Sequence, residues 1–404
     1  MHRFLISGLL ALTATPALAA PKDPIQIVVS LDQQHMRVFR GTEEIAASNI
    51  SSGKKGHETP TGVFSVLQKN RHHRSNIYSN APMPFMQRLT WSGIALHASN
   101  SVPRHPASHG CVRMPHDFAG KLFKMATNGA HVIIEDNPRT PRSISHQFLF
   151  QPVTIWKQSA KLDPWVNARI ERQNFGFVEA DNRYPARIFI TRRTHKDEIF
   201  SVQLMLNKLG FDAGTVDGIM GPTTWKAIAR FQETRDLPPN GKIDNALLNE
   251  LYKATGKMRP ANGRLLIRSH HKTVFSTQVH LENAEKPLGS HLLTVTDYDK
   301  KTDQTNWIGI SLEDRVQETV HLKNGKEITP VTERTNLYET LSRISMSAHD
   351  RKQVARLLTA GSSITISDNG ISIETGKKGT DFIVLTDPYS ESEQTVSGLR
   401  KVAG

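Results

Sequence analysis

In the segment HASNSVPRHPASHGCVRM, residues 97 to 114, three histidines accompany Cys111, the only cysteine in 404 residues. A cysteine attacks carbonyl carbon as its thiolate, so chemistry here asks for surroundings that depress the thiol pKa. An imidazole does this, and later returns the proton to a leaving amine. His97 closes the apolar run GIALH, and Cys111 comes fourteen residues later, after a polar loop holding two prolines. Gly110 allows close backbone approach, and consecutive N–H groups at a turn beside the thiol suit a developing oxyanion. Arg113, two residues beyond Cys111, faces the same side in an extended segment and offers a carboxylate a fork of donors. Together these are the parts of an acyl-transfer site.

Two other readings use the same residues. A lone cysteine is commonly a small buried hydrophobe, a role that needs none of these neighbours. His97, His105, His109 and Cys111 include zinc-ligand types, but there is no second cysteine and no helical H-E-x-x-H pattern. No metal and no cofactor are therefore expected. The pairs His72-His73 and His270-His271 sit in polar stretches and read as surface residues.

The elements that must position these groups follow from periodicity. Residues 22–137 are β-rich: IQIVVSLDQQHMRVFRGTEEIAAS suggests strands broken by turns at 31–34 and 40–42. ETPTGVFSVLQ leads into another strand, and SGIALHAS is a short buried strand ending at His97. One helix follows, with Phe118, Leu122 and Met125 on one face, before a closing strand at 131–134. Residues 138–195 read as a connector, with QFLFQPVTIW and RIFITRR as isolated strands. Residues 196–257 form three short helices. The first buries Ile199, Val202, Leu206 and Leu209, the second Trp225, Ile228 and Phe231, the third Leu247, Leu248 and Leu251. Residues 262–388 form a mixed α/β domain with a helical stretch from Tyr338 to Leu358, a hairpin at Asn324-Gly325, and TDFIVLTD as a closing strand. The fold class is multidomain.

Composition fixes the setting. MHRFLISGLLALTATPALAA has a basic start, a short apolar run and Ala17-Leu18-Ala19, so residues 1–19 read as a cleaved signal peptide of an exported protein. No later run is long enough for an integral membrane segment. The formal charge of +13 is scattered, which favours attraction to an anionic envelope polymer in the periplasm and argues against nucleic acid as partner.

The segment SHGCVR with His97 upstream resembles the L,D-transpeptidase catalytic domain of the YkuD family. The resemblance extends back through TPTGVF at 59–64, MPFMQRLT at 83–90 and GIALHAS at 93–99. The family often has a glycine after the upstream histidine, where this chain has Ala98. The resemblance implies an enzyme acting on peptidoglycan stem peptides, with Cys111 as nucleophile and His97 as base and acid. It implies a backbone carbonyl that orients the imidazole, for which Ser99 is the nearest candidate, and a pocket shaped by Ser108 and His109. Arg113 would bind substrate, and the Gly110–Cys111 backbone would form part of the oxyanion hole.

IFSVQLMLNKLGFDAGTVDGIMGPTTWKAIARFQ is similar to the three-helix peptidoglycan-binding domain, through Gln203, Asp217-Gly218, Gly221, Thr224 and Phe231-Gln232. The expected activity is transfer of a tetrapeptide stem, with loss of D-alanine, to an amine on another stem or an envelope protein. The alternatives are an L,D-carboxypeptidase or amidase using the same site, and a non-catalytic wall-binding scaffold.

Overall fold

A computed structural model describes residues 24–75, 80–150, 184–257, 260–284, 286–299, 304–316, 331–333, 335–376 and 379–386. The expected signal peptide, the Asn324-Gly325 hairpin and residues 151–156 of the QFLFQPVTIW strand lie outside the described residues.

Strands β1 (Ile25–Ser30), β2 (His35–Arg40) and β3 (Glu43–Asn49) are joined by turns where the sequence has them. Then come β4 (Gly62–Ser65), the hairpin of β5 (Gln68–Arg74) and β6 (Pro82–Arg88), β7 (Ala95–Ala98), β8 (Val112–Met114), helix α1 (His116–Met125) and β9 (His131–Glu135). One sheet runs β4-β9-β1-β2-β3, with β1 and β9 parallel, and a second, four-stranded sheet runs β5-β6-β7-β8. The β1 sequence IQIVVS does not alternate because both faces of its sheet are covered. Ile27 and Val29 join Leu96, Val112, Ala119 and Leu122 in one core, while Val28 joins a different one.

Residues 138–195 contribute more than a connector. They supply β10 (Arg142–Ile144) and β11 (Arg187–Arg192) to an eight-stranded sheet. Phe148 and Phe150 are buried but lie outside any strand. After β11 come helices α2 (His195–Lys208), α3 (Pro222–Glu233) and α4 (Asn245–Thr255). The chain then resumes in β12 (Gly263–Ser269), β13 (Lys272–Leu281), β14 (His291–Asp299) and β15 (Gln304–Ser311), with β16 (Asp314–Val316) and β17 (Val331–Glu333) as a small pair. β11 and β12 are antiparallel neighbours, Arg192 opposite Gly263, so the helical module is an insertion in a hairpin.

The module has its own core of Val202, Leu206, Ile228, Phe231, Leu247 and Leu251. Trp225 departs from expectation and is 47% exposed. The buried stripe of α3 is Thr224, Ala227, Ile228 and Phe231, and Trp225 stands one residue off it, against Gly241. The motif residues Gln203 and Thr224 are scaffold. The buried Gln203 amide accepts the N–H groups of Asp217 and Gly218 at 3.1 and 2.9 Å and donates to Thr224 Oγ1 at 3.1 Å.

The stretch 338–358 is two helices, α5 (Leu337–Ser342) and α6 (Ala348–Arg356), rather than one. Between them β18 (Ile344–Ser345) pairs with β13, and Ser347 caps α6 by accepting the Asp350 N–H at 3.0 Å. β19 (Ser363–Ile366) lies inside the large sheet, between β14 and β11. TDFIVLTD does not close the C-terminal sheet: its strand β20 (Val384–Leu385) pairs with β4 and extends the first sheet.

The first sheet packs on the large one through Val28, Val63 and Ile133 against Phe189, Leu292 and Ile310. Polar groups also cross this seam. Arg187 donates to His131 Nε2 at 2.8 Å and to the Gly129 and Gly361 carbonyls at 2.7 and 2.9 Å, and pairs with Asp381 at 3.6 Å. His271 is half-buried on Asp381 at 3.2 Å, not a free surface residue. Burial, reinforced by the Arg187 charge, lowers the His131 pKa to about 3, and burial lowers that of His291 to about 4. Both therefore take up protons on unfolding below their ordinary value of 6.5. The folded state loses stability as pH falls from 6.5 through 4 toward 3. Unfolding free energies from urea titrations across that window should fall, by up to about 1.4 kcal/mol per pH unit for each histidine. His131→Gln and His291→Gln should each flatten the slope, and an unaltered slope in both would contradict the assignment.

Candidate active site

β7 and β8 run parallel with Leu96 opposite Val112, His97 opposite Arg113 and Ala98 opposite Met114. Leu96, Ala98, Val112 and Met114 point into the hydrophobic core. Strand alternation turns His97 and Arg113 to the other face, and Cys111, two residues before Arg113, turns with them. All three line one cavity of about 590 Å³, together with Ser99, Ser108, His109, Arg88 and His73. Among the described residues that line it there is no aspartate or glutamate. His73 was expected at the surface. It is half-buried, because β5 pairs with β6 and places His73 opposite Met83, another lining residue. Met83 and Met86 pack together with Ala95 and Cys111. Phe85 between them has a positive φ of 55°, which interrupts the strict alternation of β6.

The loop between β7 and β8 is held by residues that sequence reasoning missed. Ser51 exchanges two backbone hydrogen bonds with Arg113, at 3.0 and 2.9 Å, and the Ser52 carbonyl accepts the N–H groups of Ala107 and Ser108 at 2.9 Å each. Thr59 Oγ1 donates to the Gly110 carbonyl and accepts the Gly53 N–H, both at 2.8 Å. Gln34, buried with φ 48°, accepts the Ser52 N–H at 2.8 Å. Their sequence signal is weak: ordinary serines, a threonine and a glutamine, meaningful only once β2, β3 and the loop are brought together.

Each expected site residue has a definite place. The Ser108 hydroxyl is buried and donates to the Cys111 carbonyl. Gly110 has φ +102°, and a Cβ there would come within 2.7 Å of Ile94 Cδ1. His109 is exposed, its ring 4.6 Å from that of His57. The Ser99 hydroxyl accepts the Ser101 N–H at 3.2 Å. His105 is exposed and does not line the cavity, and among the described residues no group of three or more His, Cys, Asp or Glu is placed to hold a metal ion.

The imidazole is oriented by Ala98, not by Ser99. His97 Nδ1 lies 2.8 Å from the Ala98 carbonyl, which can only accept. Nδ1 therefore carries the hydrogen, and Nε2 holds the lone pair. Burial lowers the His97 pKa below its ordinary value, and the Arg113 and His73 charges add to this against the opposing Ala98 hydrogen bond. The Cys111 thiol also departs from expectation. Burial raises its pKa, outweighing the Ala95 backbone hydrogen bond and the nearby Arg113 and Arg88 guanidinium groups. Its Sγ donates to the Gly93 carbonyl at 3.3 Å. Both directions favour the neutral form, imidazole for His97 and thiol for Cys111.

Because Gly110 combines a positive φ with contact to Ile94, Gly110→Ala should destabilise the protein by about 1–3 kcal/mol. Thermal unfolding checks this, and a variant as stable as the parent would show that the turn tolerates a side chain.

Residues 24–134 match the L,D-transpeptidase catalytic domain (YkuD), and residues 195–251 match a putative peptidoglycan binding domain. No curated protein matches the chain. Among solved structures, an L,D-transpeptidase from Stackebrandtia nassauensis is 26% identical, with 29% of this chain and 58% of that one covered and a TM-score of 0.27. One from Xylanimonas cellulosilytica is 25% identical, covering 28% and 61%, with a TM-score of 0.26. One from Mycobacterium smegmatis is 23% identical, covering 28% and 59%, with a TM-score of 0.27. The chain spans about three fifths of the length of these relatives. It carries a YkuD-type L,D-transpeptidase catalytic domain followed by a peptidoglycan-binding domain.

Proposed function

We propose that this chain is an exported cell-envelope L,D-transpeptidase that passes a peptidoglycan stem through a thioester on Cys111 to an acceptor amine. The observation that carries the reading is the shared cavity, in which a thiol, an imidazole with an oriented lone pair and a guanidinium face one opening. Its cationic lining, with no aspartate or glutamate among the described residues, suits a substrate rich in carboxylates.

In the proposed sequence, His97 Nε2 removes the Cys111 proton as sulfur attacks the carbonyl at the L-centre of a tetrapeptide stem. The oxyanion is held by the Gly110–Cys111 backbone. The C–N bond breaks, His97 returns its proton to the departing D-alanine amine, and a thioester remains. An amine on another stem or on an envelope protein then attacks. His97 accepts the amine's proton and restores the thiol. A thioester suits the task because it resists water longer than it resists an amine. Arg113 binds a substrate carboxylate, and Ser108 fixes the backbone beside the nucleophile. The helical module holds the enzyme on its polymer and raises the local concentration of stems.

Incubation with disaccharide-tetrapeptide followed by mass spectrometry tests this. A dimer lacking one D-alanine is the expected product. A tripeptide alone would mean hydrolysis by a carboxypeptidase, and binding without turnover would mean a scaffold. Cys111→Ala should abolish every product while sedimentation with insoluble peptidoglycan persists. The pH profile of kcat/KM should rise through a pKa below 6.5 as His97 loses its proton. Arg113→Gln, by removing a cation that lowers the His97 pKa, should move that limb to higher pH. A limb that stayed in place would exclude His97 as the group titrating there.

A further inference from the structure

The described parts of the segment 372–386, residues 372–376 and 379–386, lie against the catalytic domain and touch both loops that flank Cys111. On one side lies the turn 89–94 between β6 and β7, which contributes the Gly93 carbonyl to the Cys111 thiol at 3.3 Å. This turn has internal bonds, Leu89 N–H to the Ile94 carbonyl at 2.9 Å and Ile94 N–H to Thr90 Oγ1 at 3.0 Å. Its outward N–H groups, of Trp91 and Ser92, are received by the two oxygens of one carboxylate, Glu374, at 2.6 and 2.9 Å. The indole N–H of Trp91 donates to Thr380 Oγ1 at 2.8 Å, in the same segment. Both Glu374 and Thr380 are buried.

On the other side, Val384 and Leu385 pair with Val63 and Gly62, and Thr386 Oγ1 donates to Thr61 Oγ1 at 2.7 Å. Two residues earlier, Thr59 holds the Gly110 carbonyl. A Cβ on Gly62, where φ is +144°, would meet the Val384 carbonyl oxygen at 2.1 Å, so this close approach requires glycine.

We infer that Glu374 is a positioning residue for the nucleophile: by gripping the Trp91 and Ser92 amides it sets the Gly93 carbonyl against Cys111. The inference rests on Cys111 being the reacting group and assigns a part in its chemistry to the far end of the chain. A carboxylate that accepts two adjacent amide hydrogens fixes their direction in a way that one acceptor cannot. A thiol that donates to a carbonyl is held in one rotamer, aimed and protonated, until the imidazole takes its proton. Loosening the turn separates two quantities that usually move together. The thiol loses an acceptor that favours its neutral form, so it ionises more readily. It also loses its aim, so it attacks a bound carbonyl less often.

The test uses the full chain with Glu374→Gln, which keeps shape but offers one acceptor oxygen in place of two, and Thr380→Val, which removes the indole's acceptor and leaves Glu374 intact. Iodoacetamide alkylation of the single cysteine against pH needs no substrate, so it reads the thiol whatever the enzyme proves to act on. For Glu374→Gln the alkylation profile should move to lower pH, while dimer formation falls roughly tenfold or more, mainly in kcat. Thr380→Val should shift the profile in the same direction by a smaller amount. Should Glu374→Gln lose its cooperative melt, Thr380→Val decides by the same reading. Profiles that coincide with the parent's in the folded variants, with turnover lowered only in proportion to folded protein, would overturn the inference and leave Glu374 as packing. If the parent alkylates normally but turns over no stem peptide, the proposed function fails while the positioning role is still decided by the alkylation profiles.

Discussion

Everything in the catalytic domain answers to one constraint: β7 and β8 are parallel and adjacent, yet no helix joins them. Parallel neighbours need a crossover long enough to return the chain to its starting level, and a helix normally satisfies its own backbone groups on the way. Here the return is an irregular loop, whose amides and carbonyls need partners from elsewhere. Ser51, Ser52 and Thr59 supply them, and Gln34 holds Ser52 in place. The same arrangement delivers a thiol and an imidazole to one side of neighbouring strands. Structure and chemistry share a single cause in this loop.

The second organising feature is that the first sheet is buried on both faces. Its outer face is closed by a sheet built from residues on either side of the helical module, including β10 and β11, with Arg187, His131 and Asp381 as the polar contacts of the seam. Burying three ionisable groups is costly, and their mutual bonds offset that cost only while all three are in register. These contacts tie the two layers together at one register.

The sequence was most legible where chemistry and turn geometry coincide. The hairpins of β1, β2 and β3 were readable from their turn residues, and the His97 to Cys111 segment from its rare residue types. Three things were hidden. Long-range pairing is invisible to periodicity, so β10, β11 and β20 had no sign in their own sequence of which sheet they would join. Helical spacing identified the stripe of α3 but not its edge, and Trp225 fell just outside. The thiol's raised pKa comes from burial by residues as distant as β6, which a local reading of SHGCVR cannot include. His73 was missed for the same reason: its meaning lies in a register with Met83, not in its neighbours.

The helical module is held at both ends, by strands that pair with each other at Arg192 and Gly263. A domain hung from one flexible tether sweeps a volume and meets its polymer in many attitudes. One suspended between two paired strands is stitched into the sheet like a bead on a closed loop, with Arg264 and Asp197 in contact across the junction at 3.5 Å. Two paired attachments leave it less freedom to swivel than a single one would. Whatever the helices hold is limited in how far it can turn relative to the large sheet.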